Sequence, residues 1–272
     1  MARSKPSGPR SQLTLAFDAL RDYGCLTDVQ LEQLTGHPAA TIRKQMSRQA
    51  LTGTVVRAKL RQGKLGRPIS LNCLPESPWI DAASRHHQKL LNDVRIAFNR
   101  AWGTDPMISV KTWDTQQISI KGDESPGRVN DHVRPDGIVL FKHSRASRPL
   151  VILLEIDCGT EPLARSGTRQ TSWSQKALLY QDILRIEYWR DWVRDVGSVG
   201  GDLLWRLGII TTSASRISGL MDVLNQQPPA LAVWTTTFNK MNSDRINSPV
   251  AGNVAAPIWR PLDDDQDRCL IC

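Results

Sequence analysis

The chain of 272 residues contains no long apolar run. Its most apolar stretch, Leu150 to Ile156, has the length of a β-strand and includes Glu155, whereas a membrane-spanning helix needs roughly 20 consecutive apolar residues. The basic residues at the start are not followed by the apolar core of a signal peptide. We therefore expect a cytoplasmic protein without a membrane partner.

Cysteine is scarce, and the five cysteines, an odd number, stand at irregular spacings. This pattern is not typical of a small secreted domain held together by disulfides, so we expect the reducing environment of the cytosol. The sequence also has no internal repeat, no glycine-rich phosphate-binding loop and no Ser-His-Asp hydrolase motif. These absences argue against repeat proteins, P-loop nucleotidases and serine hydrolases.

Positive charge is unevenly distributed along the chain. Residues 1–74 hold 12 Lys and Arg against four acids, which accounts for the whole formal net charge of +8, while bases and acids balance in the remainder. A charge excess confined to one module is expected where that module meets a polyanion.

The basic N-terminal quarter has the pattern of a compact DNA-binding module. Helical spacing and capping residues predict three helices, the third from Pro38 to about Leu51, followed by strands over residues 54–60 and 69–74 with a basic, glycine-containing tip. Three helices and a hairpin predict a winged helix-turn-helix over residues 11–74. The segment resembles bacterial winged-helix DNA-binding domains.

Duplex DNA is the partner predicted for this module. A basic recognition helix fits the major groove, and cations on a flexible hairpin reach neighbouring phosphates. Two other interpretations stay open: exposed helix faces are often basic, and some winged helices bind protein. The candidate DNA contacts are Thr41, Arg43, Lys44, Arg48, Lys64 and Arg67.

A second module is predicted over residues 79–240, after a linker, with residues 241–272 as a flexible acidic tail. Its elements follow the order α-β-β-β-α-β-α-β, including one long helix from Ser172 to about Val196. Such an order predicts a mixed sheet flanked by helices.

Three acidic residues stand at the ends of two strands of that module. Glu155 and Asp157 share one face because side chains two apart in a strand point the same way, and Asp136 joins them if its strand is adjacent. Clustered carboxylates favour a hard cation such as Mg²⁺ or Mn²⁺. Taken alone, Asp136 also fits a turn, since it lies between Pro135 and Gly137.

This arrangement resembles the core of the PD-(D/E)XK nuclease superfamily. The resemblance implies a restriction-endonuclease-like fold, with Asp136 and Glu155 as metal ligands. The usual lysine two positions after the second acid is Asp157 here. Some members carry the lysine on the following helix, and Lys176 matches that position. The implied catalytic residues are Asp136, Glu155 and Lys176, and the implied metal ligands are Asp136, Glu155 and Asp157.

A closer resemblance, over roughly residues 11–212, is to the replication-relaxation family of bacterial plasmids and other mobile elements. The shared features are the winged helix, the helix near His86, the strand of Asp136, the segment Glu155 to Pro162, and Lys176 with Tyr180. Cys158 departs from the family pattern, which more often has a basic residue there. The resemblance implies a role in plasmid replication or DNA relaxation.

The sequence therefore leads to three hypotheses about function. The first is a DNA-binding protein of a mobile element, acting in replication and relaxation or in their regulation, with a homodimer and replication proteins as further partners left open. The second is a metal-dependent endonuclease that uses the acidic cluster and Lys176. The third is a winged-helix transcription regulator whose second module senses a ligand.

Overall fold

The structure is a computed structural model, which describes residues 11–60, 68–77, 82–102, 107–114, 134–144, 146–159, 161–164, 172–182, 187–226, 232–238 and 260–261. The chain divides into two units, residues 1–96 and 97–272. One unit holds a three-stranded sheet and the other a six-stranded sheet, both accompanied by helices. This mixed architecture confirms the α+β class predicted from the sequence. Within these ranges no helix is long and apolar enough to cross a membrane.

The first unit has helices and strands in the order expected of a winged helix. Its three strands form an antiparallel sheet in the order β1-β3-β2. Its elements are α1 (Gln12–Tyr23), β1 (Cys25–Thr27), α2 (Asp28–Thr35), α3 (Ala39–Leu51), β2 (Val56–Leu60), β3 (Ile69–Cys73) and the first part of α4 (Ala82–Trp102). The predicted contact residues Lys64 and Arg67 lie outside the described residues.

Side-chain caps define where the first two helices begin. Ser11 accepts a hydrogen bond from the backbone N–H of Thr14, and Thr27 and Gln30 form a reciprocal capping box. Gly36 ends α2 in the left-handed region, with φ of 73°. These bonds satisfy backbone groups that helix ends leave unpaired, so the chain turns from α2 into α3 at a defined point.

The two cysteines of the first unit form a disulfide. Cys25 and Cys73 are register partners on β1 and β3, and their Cα atoms are 4.4 Å apart. Antiparallel strands bring directly opposite residues to about this separation, which is within disulfide range. The odd cysteine count did not predict this pair, because the pairing depends on sheet register and not on spacing along the chain.

The division between the units falls inside α4, later than the linker expected near residues 75–78. Asn92 donates from its side-chain amide to the carbonyls of Tyr23 and Cys25, at 3.2 and 2.7 Å. Gln30 donates to the carbonyl of Lys89 at 2.9 Å. The N-terminal part of α4 therefore completes the first unit, although the sequence placed it entirely in the second module.

The second unit contains a mixed sheet in the order β4-β5-β6-β7-β8-β9. β6, β7 and β8 are parallel, and β4, β5 and β9 run antiparallel to their neighbours. The elements are β4 (Ile108–Asp114), β5 (Gly137–His143), β6 (Leu150–Asp157), α5 (Trp173–Asp182), α6 (Glu187–Gly197), β7 (Leu204–Thr211), α7 (Ala214–Gln226), β8 (Ala232–Thr237) and β9 (Arg260–Pro261).

Two predictions about this unit need correction. The single helix expected over residues 172–196 consists of two helices, α5 and α6, and residues 183–186 lie outside the described part of the chain. The segment predicted as a flexible tail, residues 241–272, contains β9, which pairs with Trp234 and Thr235 of β8. Two residues of that segment therefore extend the sheet.

Alternation along β5 and β6 determines which side chains meet the helices. Ile138, Leu140, Val151 and Leu153 belong to one buried cluster that includes Tyr180 of α5. Because side chains two apart share a face, Asp136, Glu155 and Asp157 belong to this same helix-covered face. The fold therefore places the acidic residues beneath α5 and α7.

Candidate functional site

Asp136 is attached to β6 beside Glu155. β5 and β6 are antiparallel neighbours, and Gly137 is the register partner of Leu154. The Asp136 amide donates to the carbonyl of Leu154 at 2.8 Å, and the Ile156 amide donates to Asp136 Oδ2 at 2.7 Å. Asp136 therefore lies directly before β5, and its carboxylate is bonded to the backbone amide of the residue that follows Glu155.

Glu155 is buried, and both of its carboxylate oxygens are bonded to α5. Lys176 Nζ lies 2.8 Å from Glu155 Oε2, and the Tyr180 hydroxyl donates to Glu155 Oε1 at 2.6 Å. Lys176 and Tyr180 are four residues apart on the helix, so they lie on one face, one turn from each other. A single helix face thus supplies both donors to Glu155.

Burial and neighbouring charges shift the pKa values of Glu155 and Lys176. Burial raises the pKa of Glu155, the Lys176 charge opposes this rise and the Asp136 charge adds to it, with a net value of about 7. For Lys176, burial acts to lower the pKa, but the charges of Glu155, Glu161 and Asp136 outweigh it and hold the pKa above its ordinary value. Lys176 is therefore cationic at neutral pH.

Glu161 shares Lys176 with Glu155. Lys176 Nζ lies 2.9 Å from Glu161 Oε1 and 5.0 Å from the centre of the Trp173 ring. The other oxygen, Glu161 Oε2, is buried and has no hydrogen-bond partner among the described residues. Glu161 was not among the predicted site residues, and the structure shows it as a second carboxylate bonded to Lys176.

Asp157 is not part of this cluster, which corrects the trio expected from the sequence. Arg216 binds both of its oxygens, from Nε at 2.7 Å and Nη2 at 3.0 Å. Thr211 donates to it at 2.7 Å, and the Gly159 amide donates at 3.2 Å. In the part of the chain that is described, no group of three or more His, Cys, Asp and Glu side chains is arranged to hold a metal ion.

The pKa values of Asp157 and Cys158, at the end of β6, are shifted in opposite directions. Burial favours a higher pKa for Asp157, but hydrogen bonds from Arg216 and Thr211 outweigh it and hold the pKa below its ordinary value. For Cys158, burial and then the charges of nearby acids raise the pKa of the thiol to about 11. Asp157 is therefore an ionised structural group, and Cys158 is a protonated thiol at neutral pH.

The basic residues of α3 form a separate surface on the first unit. Thr41, Arg43, Lys44 and Arg48 are all exposed, as a helix offering this face to DNA requires. Sequence reasoning missed Asp28, a buried carboxylate that pairs with Arg43 and with Arg57 of β2. These partners are 15 and 29 residues away, and no spacing rule signals such contacts.

The fold and the two sets of residues define a class: an α+β protein with an exposed basic helix in one unit and an acid–lysine cluster on a mixed sheet in the other. No protein-family model matches the chain, and no curated protein matches it in sequence. The likeness of this chain to the replication-relaxation family thus rests on its sequence motifs alone.

Matching solved structures include Stf76 from the Sulfolobus islandicus plasmid-virus pSSVx, which is 22% identical over 29% of this chain and 95% of its own, with a TM-score of 0.23. They also include restriction endonuclease FokI bound to DNA, which is 10% identical over 89% of this chain, with a TM-score of 0.30. This chain spans only 44% of that endonuclease. Scores this low do not establish a shared fold.

Proposed function

We propose that this chain is a DNA-binding protein whose second unit hydrolyses phosphodiester bonds, as a metal-dependent endonuclease of the PD-(D/E)XK type. The observation that carries the proposal is the contact of Lys176 Nζ with Glu155 Oε2 at 2.8 Å, beside an Asp136 carboxylate bonded to the next backbone amide. Two acids from adjacent strands and a lysine from the following helix form one site, although the usual strand position holds Asp157.

The donor set fits Mg²⁺ or Mn²⁺. Asp136 and Glu155 offer carboxylate oxygens, whereas Glu161, whose buried Oε2 has no partner among the described residues, is not grouped with them as a third ligand. Mg²⁺ is commonly held by one or two carboxylates, with water and substrate phosphate completing its shell. A bound cation supplies Lewis-acid stabilisation of charge on the phosphate. Asp157 is left out of this set because its oxygens are held by Arg216, Thr211 and the Gly159 amide, and it makes no described contact with Lys176 or Tyr180.

Lys176 contributes as a fixed cation and not as a base. Its pKa is held above the ordinary value, so the ammonium group stays protonated at neutral pH. A protonated Lys176 donates hydrogen bonds that orient an attacking water and stabilises negative charge as it develops on the phosphate. Tyr180 holds the opposite oxygen of Glu155 and so positions the carboxylate.

DNA binding is proposed for the first unit on the basis of α3. Arg43, Lys44 and Arg48 are exposed on this helix, and the first 74 residues carry the whole net positive charge. Cationic side chains on a recognition helix contact the phosphates and the base edges of the duplex. Replication and relaxation of a mobile element form the setting that we propose for this activity, and footprinting on the plasmid or prophage DNA next to the coding gene tests that setting.

A plasmid-nicking assay tests the enzymatic part. Wild-type protein with Mg²⁺ or Mn²⁺ should convert supercoiled plasmid to open circles, whereas Asp136→Ala and Lys176→Ala should lower the rate by about 100-fold or more. Matched controls are Asp202→Ala and Lys111→Ala, exposed residues of the same unit, which should nick at the wild-type rate. No nicking by purified wild-type protein with either metal leaves a protein that binds DNA without cutting it.

A further inference from the structure

Asp28 is the centre of a buried polar network in the first unit. It is the first residue of α2, and its carboxylate accepts a hydrogen bond from the Asn72 side chain of β3 at 2.9 Å. Arg57 of β2 donates from Nη2 to both Asp28 oxygens, at 3.2 Å each. Because three donors from three elements hold it, counting Arg43, Asp28 is a rigid anchor.

Arg43 is tethered to this anchor and still faces solvent. Its Nε donates to Asp28 Oδ2 at 3.1 Å, while its side chain is 64% exposed. The two terminal nitrogens, Nη1 and Nη2, make no hydrogen bond to any of the described residues. Lys44 and Arg48 are also exposed on α3, but neither has an ion pair within the described ranges. Arg43 therefore combines exposure with a fixed direction.

The same network fixes α3 itself. Arg57 also donates to the hydroxyl of Ser47, which lies one helical turn after Arg43 on α3. The helix is thus tied to Asp28 at Arg43 and, through Arg57, at Ser47. The bond from Arg43 Nε to Asp28 therefore restricts where Nη1 and Nη2 lie on the surface of α3.

We propose that Arg43, positioned by Asp28, determines sequence specificity by donating two parallel hydrogen bonds to the major-groove edge of a guanine. This inference rests on the proposed DNA binding of the first unit. Guanine presents two acceptors, O6 and N7, that match the planar fork of an arginine. Arg43 is the fifth residue of α3, and the N-terminal residues of a recognition helix are those that contact base edges.

Tethering favours a base over a phosphate as the target. A phosphate is satisfied by any mobile cation, whereas a base edge requires a donor pair of defined direction. The Asp28 charge offsets part of the attraction between Arg43 and the DNA backbone, but it leaves the geometry of the fork intact. Lys44 and Arg48, which make no ion pair with any described residue, are better suited to phosphates.

The test uses the full-length protein and duplexes chosen by in vitro selection at low salt. Affinity is measured by fluorescence anisotropy for the selected site and for duplexes in which each G·C pair is replaced by A·T. For wild-type protein, replacement at one position should cost about 5- to 150-fold in affinity, the range of one bidentate base contact. Arg43→Ala should lose the preference at that position alone.

Arg48→Ala is the matched control, because it removes an exposed arginine of the same helix. It should weaken binding to all sequences alike and keep the guanine preference. Asp28→Asn should reduce the preference at the same position as Arg43→Ala, with an unchanged dependence on salt. A merely structural role of Asp28 would weaken binding to every sequence, and circular dichroism shows whether this variant has folded.

Two kinds of negative result have different consequences. If wild-type protein binds no duplex at low salt, DNA binding by the first unit is wrong, and this inference falls with it. If wild-type protein binds duplex without preferring guanine at any position, or if Arg43→Ala keeps the preference, the inference about Arg43 is overturned while DNA binding stands.

Discussion

The ion pair of Asp157 and Arg216 should contribute to the stability of the second unit and not to its chemistry. The perturbation is Arg216→Met, which keeps much of the side-chain length and leaves a carboxylate of zero exposure without its cation. Arg216 supplies two of the four hydrogen bonds described for Asp157, at 2.7 and 3.0 Å. Asp157 therefore remains buried with half of its described donors gone.

The expected cost follows from the burial of the pair. Removing one partner of a buried ion pair typically costs about 3–5 kcal/mol, because the remaining charge is uncompensated. Arg216 is itself 15% exposed, so we expect a value near the lower end. For a unit of this size, a loss of about 3 kcal/mol lowers the melting temperature by roughly 6–12 °C. Asp157→Asn/Arg216→Met should cost no more than Arg216→Met alone, since the charge is then absent.

Tryptophan fluorescence during urea unfolding is a suitable assay. Eight of the nine tryptophans lie after residue 96, so the signal reports chiefly on the second unit. The pKa of Asp157 is held low in the folded protein, so the pair stabilises above the ordinary carboxyl pKa near 4. Its contribution is lost as the pH falls, and the difference between wild type and Arg216→Met should shrink in acid.

Two results would refute this reasoning. One is an unfolding free energy of Arg216→Met within about 0.5 kcal/mol of wild type at neutral pH, the usual range for a surface substitution. The other is a folded Asp157→Asn protein that no longer binds Mn²⁺ while Asp136→Asn still does, because Asp157 would then be the ligand and Asp136 the structural group.

Three further predictions concern the cluster and the basic helix. Mn²⁺ affinity measured by calorimetry should fall about tenfold per pH unit below pH 7, because the cation competes with the proton on Glu155; a flat profile contradicts this. Tyr180→Phe removes a hydrogen bond that lowers the Glu155 pKa, so the midpoint of that profile should move to higher pH, and a shift to lower pH would reverse the assigned role. Lys44→Ala/Arg48→Ala should reduce the slope of log affinity against log salt by about 2, and an unchanged slope places the phosphate contacts elsewhere.

The part of the site that follows strand and helix periodicity could be predicted from sequence. Alternation along β6 places Glu155 and Asp157 on one face, and four-residue spacing places Lys176 and Tyr180 together. What the sequence did not supply is the partner of each group. Arg216 is 59 residues from Asp157, and only the pairing of β6 with β7, followed by α7, brings them together. Long-range ion pairs and disulfides depend on topology, so residue patterns alone leave them open.

The position of Lys176 follows from the same contacts. A buried carboxylate such as Glu155 needs a cation close by, since an unpaired buried charge is costly. The strand position two residues later faces the same side, but here it carries Asp157, whose oxygens are bonded to Arg216. The cation for Glu155 must then come from an element lying over the sheet, and α5 supplies it as Lys176. Arg216 pairs with Asp157 and Lys176 pairs with Glu155, so the metal site that we propose includes Glu155 and Asp136 but not Asp157.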